Sequence, residues 1–138
     1  MNPRIAPRAL LALLLVAVLF GCRPLAGSEA LSGTQWVLSA IDGLPPLPGG
    51  PITLAFEDGQ VRGGSGCNSY SGTYTVRGET LAIGELMATA MACAEPDRME
   101  QESAYLERLG TVTSFTVADG VLGLSTSHGQ SLTFAHLP

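Results

Sequence analysis

Lysine is absent from the 138-residue chain, and all seven basic residues are arginine. A phosphate-binding loop that relies on lysine, a Schiff-base lysine and a lysine anchoring pyridoxal phosphate are therefore excluded as residue types. Charge of either sign is scarce at 14%, against about 25% in ordinary soluble domains. What charge there is leans acidic, with 12 Asp and Glu and a formal net charge of −5. Such a chain lacks the clustered cations that release counterions from phosphate, so no nucleic-acid partner is expected. Cysteines number three with no C-x-x-C pair, and the only histidines, His128 and His136, stand at no ligand spacing from them. No metal site and no cofactor are implied. The 17 Gly and 9 Pro interrupt any long helical repeat, which excludes a coiled coil and points to short strands and turns. The length allows one domain and a tail, with no room for a second catalytic domain.

What is present begins with Arg4 and Arg8, followed by an uncharged apolar run from Ala9 to Phe20. That run is shorter than the roughly 20 residues that cross a bilayer, and after a basic segment it reads as an export signal. It closes on Leu19-Phe20-Gly21-Cys22, which resembles the lipobox of bacterial lipoproteins. Small Gly21 permits cleavage there, and Cys22 becomes the acylated first residue, carrying palmitate or a similar chain. Residues 1–21 are thus read as a signal peptide, 22–32 as a lipid-anchored tether and 33–138 as the folded domain. Arg23 stands where lipoproteins retained at the inner membrane often carry Asp, so the resemblance implies the outer membrane, with the domain facing the periplasm. Losing the leader removes two Arg and no acid, leaving five Arg against twelve acids, a net −7. Anionic head groups would repel such a surface, so membrane attachment is expected through the lipid alone.

With Cys22 acylated, Cys67 and Cys93 remain in an oxidising compartment. A disulfide is the default there, worth about 3.5 kcal/mol for a loop of this size. The alternative is a redox or metal pair.

Period-two patterning dominates the rest. Trp36 and Leu38 alternate; Ile52, Leu54 and Phe56 share a face, and Asp58-Gly59 turns the chain into Gln60-Val61-Arg62. Gly72 to Val76, the turn Arg77-Gly78 and Thr80 to Ile83 repeat the hairpin. Thr111 to Val117, Val121 to Leu124 and Ser131 to Phe134 form a meander with turns at Asp119-Gly120 and Ser127-His128-Gly129. Asp42 to Pro51, dense in Pro and Gly, is expected to be irregular. A single helix is expected over Pro96 to Leu109, with Pro at its start, Glu95 and Asp97 at the positive dipole end and Gly110 past its last turn. Met99, Ser103, Leu106 and Leu109 fall on one helical face, which is expected to close over the sheet, with Tyr105 at its margin. Glu102 falls within that face and admits two readings: a surface pair with Arg98, or a buried carboxylate accepting hydrogen bonds from a turn beneath it.

The stretch Gly63-Gly64-Ser65-Gly66-Cys67-Asn68-Ser69-Tyr70-Ser71-Gly72-Thr73-Tyr74 resembles the G-x-x-G-C-N-x-x-x-G-x-Y motif of the META domain, the HslJ-like family of bacterial lipoproteins. Thr89-Ala90-Met91-Ala92-Cys93 resembles its T-x-M-A-C segment. Met99, Glu102 and Tyr105 match its helix signature, Trp36-Val37-Leu38 its opening, and Leu122-x-Leu124 with Leu132-x-Phe134 its closing hairpin. Ala90 departs from the larger, often basic residue usual there. The resemblance covers about residues 33 to 136. It implies a mainly β (α+β) fold, a curved antiparallel sheet forming a cracked or partial barrel packed against one α-helix. It also implies a non-catalytic envelope module linked to stress or antibiotic tolerance.

Gly66, Asn68, Gly72, Tyr74, Thr89, Met99 and Glu102 are accordingly expected to be structural motif residues. The glycine cluster lacks the following Lys of a phosphate loop and suits turn or bulge geometry. Asn68 reads as a turn residue or a ligand contact, and Trp36 and Tyr74 as core aromatics or binding platforms. No serine stands in a recognisable nucleophile elbow, and Glu100 and Glu102 point to different helix faces, so no enzyme is expected. The expected partners are the membrane, through the lipid, and an envelope protein. The alternative is an apolar small molecule or lipid carried in the barrel cleft.

Overall fold

The computed structural model describes residues 27–138. The segment expected to be a signal peptide, Cys22 and the first part of the expected tether lie outside the described residues. The elements in chain order are α1 (Ser28–Leu31), β1 (Thr34–Ile41), β2 (Thr53–Glu57), β3 (Gln60–Gly64), β4 (Ser69–Arg77), β5 (Thr80–Ile83), β6 (Met87–Ala88), α2 (Pro96–Gly110), β7 (Val112–Ala118), β8 (Val121–Thr126) and β9 (Ser131–His136).

Three Asp-Gly pairs set hairpin geometry. Asp42, Asp58 and Asp119 adopt φ of 49°, 49° and 52°, each followed by a glycine at positive φ. Primed turns of this kind match the right-handed twist of the strands they join. All pairings are antiparallel. The sheet runs β3-β2-β1-β9-β8-β7-β5-β4, and β3 also pairs with β4, so the eight strands close into a barrel. The expected partial barrel is corrected on this point: closure needs the pairing of β1 with β9, which meet from opposite ends of the chain. The ring is thinnest between β5 and β7, where Thr80↔Ser114 is the one ladder pair and the Phe115 N–H reaches Glu79 O at 3.0 Å.

Alternate side chains fill the interior. Trp36, Leu54, Phe56, Val61, Leu81, Leu122, Leu124, Leu132 and Phe134 are almost fully buried, as inward positions of a small barrel must be. Tyr105 and Leu109 enter this core from α2, and Leu31 from α1.

Two expectations about the helices are corrected. The segment taken as tether contains α1, whose Leu31 is completely buried. Its backbone is tied in by the Ser32 N–H to Ser28 O and the Gly33 N–H to Phe56 O. The domain therefore begins before residue 33, and α2 is not the single helix. Second, the buried positions of α2 are Glu102, Tyr105 and Leu109, while Met99 is 47% exposed and Ser103 is exposed. The helix is rotated toward Tyr105 because its ring and the Glu102 carboxylate, rather than Met99, find partners inside.

Candidate functional site

The turn between β3 and β4 carries most of the motif. Gly66 adopts φ 115°, a conformation glycine tolerates far better than other residues. The turn is closed by the Ser65 N–H and hydroxyl, which both donate to Asn68 O at 2.8 and 3.0 Å. This geometry aims the next two backbone N–H groups at α2. Glu102 Oε2 accepts from Cys67 N at 2.9 Å and Asn68 N at 3.1 Å, and Oε1 accepts from Asn68 Nδ2 at 2.6 Å. Arg98 is not its partner: that guanidinium donates to Pro48 O at 2.6 Å and faces Glu95 at 3.4 Å. Of the two readings of Glu102, the structure has the carboxylate bonded to the turn beneath it.

Asn68 joins this turn to the segment leading into the helix. Its Nδ2 also donates to Met91 O at 3.1 Å, while Oδ1 accepts the Met91 N–H at 2.7 Å and the Thr89 hydroxyl at 2.9 Å. The amide thus pairs with Met91 as a neighbouring strand would. Thr89 continues the join through its N–H to Ser69 O at 3.0 Å, and its hydroxyl accepts the Ser69 N–H at 3.2 Å. Cys67 and Cys93 are disulfide-bonded with Cα atoms 5.6 Å apart. The two sulfurs and a Glu102 oxygen lie within 4.8 Å of one another. With the sulfurs bonded to each other, neither is a thiolate, and the carboxylate alone of the three has metal-ligand character.

Two motif residues serve the barrel wall instead. A Cβ on Gly72 would stand 2.8 Å from Leu86 Cδ2 and 3.0 Å from Glu85 O, so its missing side chain lets the chain cross between β5 and β6. Tyr74 packs edge-on against Phe56, ring centroids 5.0 Å apart, in the core rather than on a binding face. Trp36 is likewise a core aromatic, edge-on to His136 at 5.0 Å. Met99 is exposed and takes no part in the network.

A second polar contact was missed by the sequence reading. The Tyr70 hydroxyl donates to Thr53 O at 2.7 Å, which leaves Tyr105 to donate to Tyr70 across 2.7 Å. A Cβ on Gly63 would fall 1.9 Å from Thr53 O and 3.0 Å from the Tyr70 hydroxyl. The absent side chain is the opening through which carbonyl and phenol meet. Burial pushes both phenols above their usual ionisation range, Tyr105 the more deeply buried. The available signal was the alternation Tyr70, Gly72, Tyr74, which puts Tyr70 on the inward face. No buried side-chain polar atom among the described residues lacks a partner. The network is saturated: chemically it can hold a turn, a segment and a helix together, and its donors and acceptors are occupied by one another.

Residues 29–138 match the META domain. No curated protein matches the chain. Among solved structures, it is similar to an NMR structure of a protein from Burkholderia xenovorans, at 26% identity, with 99% of both chains covered and a TM-score of 0.65. A second NMR structure matches at 26% identity over 78% of this chain and 92% of that one, with a TM-score of 0.64. The crystal structure of a DUF4847 family protein from Bacteroides vulgatus shares the fold, at 17% identity over 79% of this chain and 96% of the other, with a TM-score of 0.55. With the family's domain covering nearly all the described residues, the chain belongs to the META domain family.

Proposed function

We propose that this META domain is an exported lipoprotein module, acylated at Cys22 and held at the outer membrane facing the periplasm, which serves envelope-stress or antibiotic tolerance by binding a protein partner rather than by catalysis. The observation that carries the reading is the distribution of polar and apolar groups. The buried polar groups are matched internally, and the barrel axis is filled by aromatic and aliphatic side chains, while Leu44, Met87 and Met91 stand 71%, 71% and 64% exposed. Long, adaptable apolar side chains of this kind, left in water beside a closed core, are the groups with which such a surface would meet a protein partner. The filled axis also takes up the space in which a carrier would hold an apolar ligand.

Native mass spectrometry of the protein recovered from its own envelope tests the reading. A stoichiometric protein adduct is expected, and a bound small lipid with no protein would overturn it in favour of a carrier. Anchoring is tested separately: Cys22→Ser should abolish labelling by a radioactive fatty acid, and a variant that still takes up label would refute acylation at that residue.

A further inference from the structure

Residues 42–50 run from β1 across α2 as a strap. The strap begins in a tight turn, with Ile41 and Leu44 exchanging backbone hydrogen bonds of 2.8 and 2.9 Å. The Asp42 carboxylate accepts from Ser131 N at 2.8 Å and from Arg108 at 3.0 and 2.8 Å, and these donors hold its ionisation below the usual range. Farther along, the Leu47 N–H donates to Gln101 Oε1 at 2.6 Å, and Pro48 O accepts from Arg98. The strap is pinned at both ends, yet Leu44 is 71% and Leu47 43% exposed. A leucine held in water by a turn whose polar groups are matched is displayed rather than loose. Between strap and helix lies an open groove of about 320 Å³, with Ile41, Leu44, Pro45 and Ala104 as its apolar lining, Asp97 and Glu100 on the helix side and the Asp42–Arg108 ion pair in its wall.

We propose that this groove is a docking surface for a cationic amphipathic peptide segment, a proposal that rests on the binding role above and names the partner's chemistry. Charge complementarity selects the occupant. Arg98 and Arg108 are engaged by Glu95 and Asp42, and the chain has no lysine, so no ion pair forms at Asp97 or Glu100 among the described residues. Pro45, on the groove wall, has no backbone N–H to offer an occupant. An occupant must therefore bring donors and positive charge to the rim and an apolar side chain to Leu44. A second copy of this acidic chain would bring like charge, as would an anionic lipid surface. A small apolar molecule would remain open to water along the groove instead of being enclosed.

The test uses the full chain in non-ionic detergent micelles, titrated with a fluorescent Leu/Lys amphipathic peptide, with the signal from protein-free micelles subtracted. Carbodiimide then fixes the complex, joining a peptide amine to a carboxylate as an amide while the reagent takes up the water as urea. Cross-links are expected at Asp97 or Glu100. The double substitution D97N/E100Q should weaken binding by about fivefold or more and flatten its salt dependence. Leu44→Ser should weaken it by about threefold with the salt dependence unchanged. Val117→Ser, at the other end of the barrel, should leave it unaltered, and a Leu/Glu peptide should not bind. Each variant is first matched to the parent in thermal unfolding. Binding indifferent to D97N/E100Q and L44S, cross-links confined to other carboxylates, or no signal above empty micelles would overturn the proposal. A protein adduct from the envelope that persists in the D97N/E100Q chain removes the groove and leaves the binding role standing. No adduct from the envelope removes the binding role itself.

Discussion

Replacing Glu102 by Gln probes the polar network with almost no change in shape. Glutamine keeps one oxygen, and the position with two donors is Oε2, facing the Cys67 N–H at 2.9 Å and the Asn68 N–H at 3.1 Å. The new amide nitrogen then occupies the place of Oε1, 2.6 Å from Asn68 Nδ2, donor against donor. Turning the Asn68 amide over gives no relief, because its nitrogen would then oppose the Met91 N–H that Oδ1 now accepts at 2.7 Å. One buried donor is left unmatched, at a cost of about 1–3 kcal/mol, and the two surviving bonds decline from charge-assisted to neutral, about 0.5–1 kcal/mol each. The expected loss is about 2–5 kcal/mol. Glu100, exposed and outside this network, should tolerate the same change within about 0.5 kcal/mol. Urea unfolding followed through the fluorescence of Trp36, the chain's one tryptophan, measures both with the disulfide intact, and an unchanged m-value keeps the comparison valid. Equal midpoints for E102Q and E100Q would show that the three N–H contacts contribute nothing to stability.

The buried phenols predict alkaline sensitivity: unfolded tyrosines ionise near pH 10 while Tyr70 and Tyr105 keep their protons when folded. Stability should therefore fall above about pH 10, by about 1.4 kcal/mol per pH unit for each phenol. Tyr105→Phe should make that slope shallower whatever its effect at neutral pH, and a flat profile in the parent would refute the burial argument. Replacing Cys67 and Cys93 together by Ser should lower stability by about 3–4 kcal/mol, read as a fall in Tm that the parent reproduces when a dithiol reductant is added. Gly63→Ala would force its Cβ into the Thr53 carbonyl, 1.9 Å away, and should cost at least about 3 kcal/mol. Gly78→Ala, at an open turn where strain comes only from its φ of 60°, should cost about 1 kcal/mol. Comparable effects at the two glycines would refute the close-approach reading.

Strand positions were legible because burial alternates with a period of two, as in Leu54 and Phe56 of β2 or Leu122 and Leu124 of β8. The Asp-Gly turns carried their own conformational signature. The span of α2 could be read from Pro96 and Gly110, but its rotation could not. Met99 and Tyr105 are both apolar enough to face inward, and the choice between them was made by the pocket left among Tyr70, Phe134 and the Asn68 turn. Barrel closure had no local signature either: β1 meets β9 across a bulge between Leu38 and Ala40, a long-range match that no window of sequence contains. The four-residue α1 is shorter than any amphipathic period can reveal, and Leu31 owes its burial to the open end of the barrel it fills. The motif from Gly63 to Tyr74 marked the right region, yet its glycines gave no hint that one of them admits a carbonyl to a phenol.

The direction of β1 has a consequence for how the molecule stands in its surroundings. The chain passes from α1 into Thr34 at one end of the barrel and leaves Ile41 into the strap at the other, a climb of about 25 Å for a strand of this length. The proposed anchor ahead of α1 would therefore pull on the floor of the barrel, while the strap, α2 and the disulfide occupy its roof. With Cys22 acylated as proposed, the chain from Cys22 to Ser28 could reach at most about 20 Å, which would keep the roof within about 50 Å of the bilayer. A tether on the floor would limit approach to the bilayer without covering any of the upper surface, and Leu44 would stay open to a ligand arriving from the aqueous side.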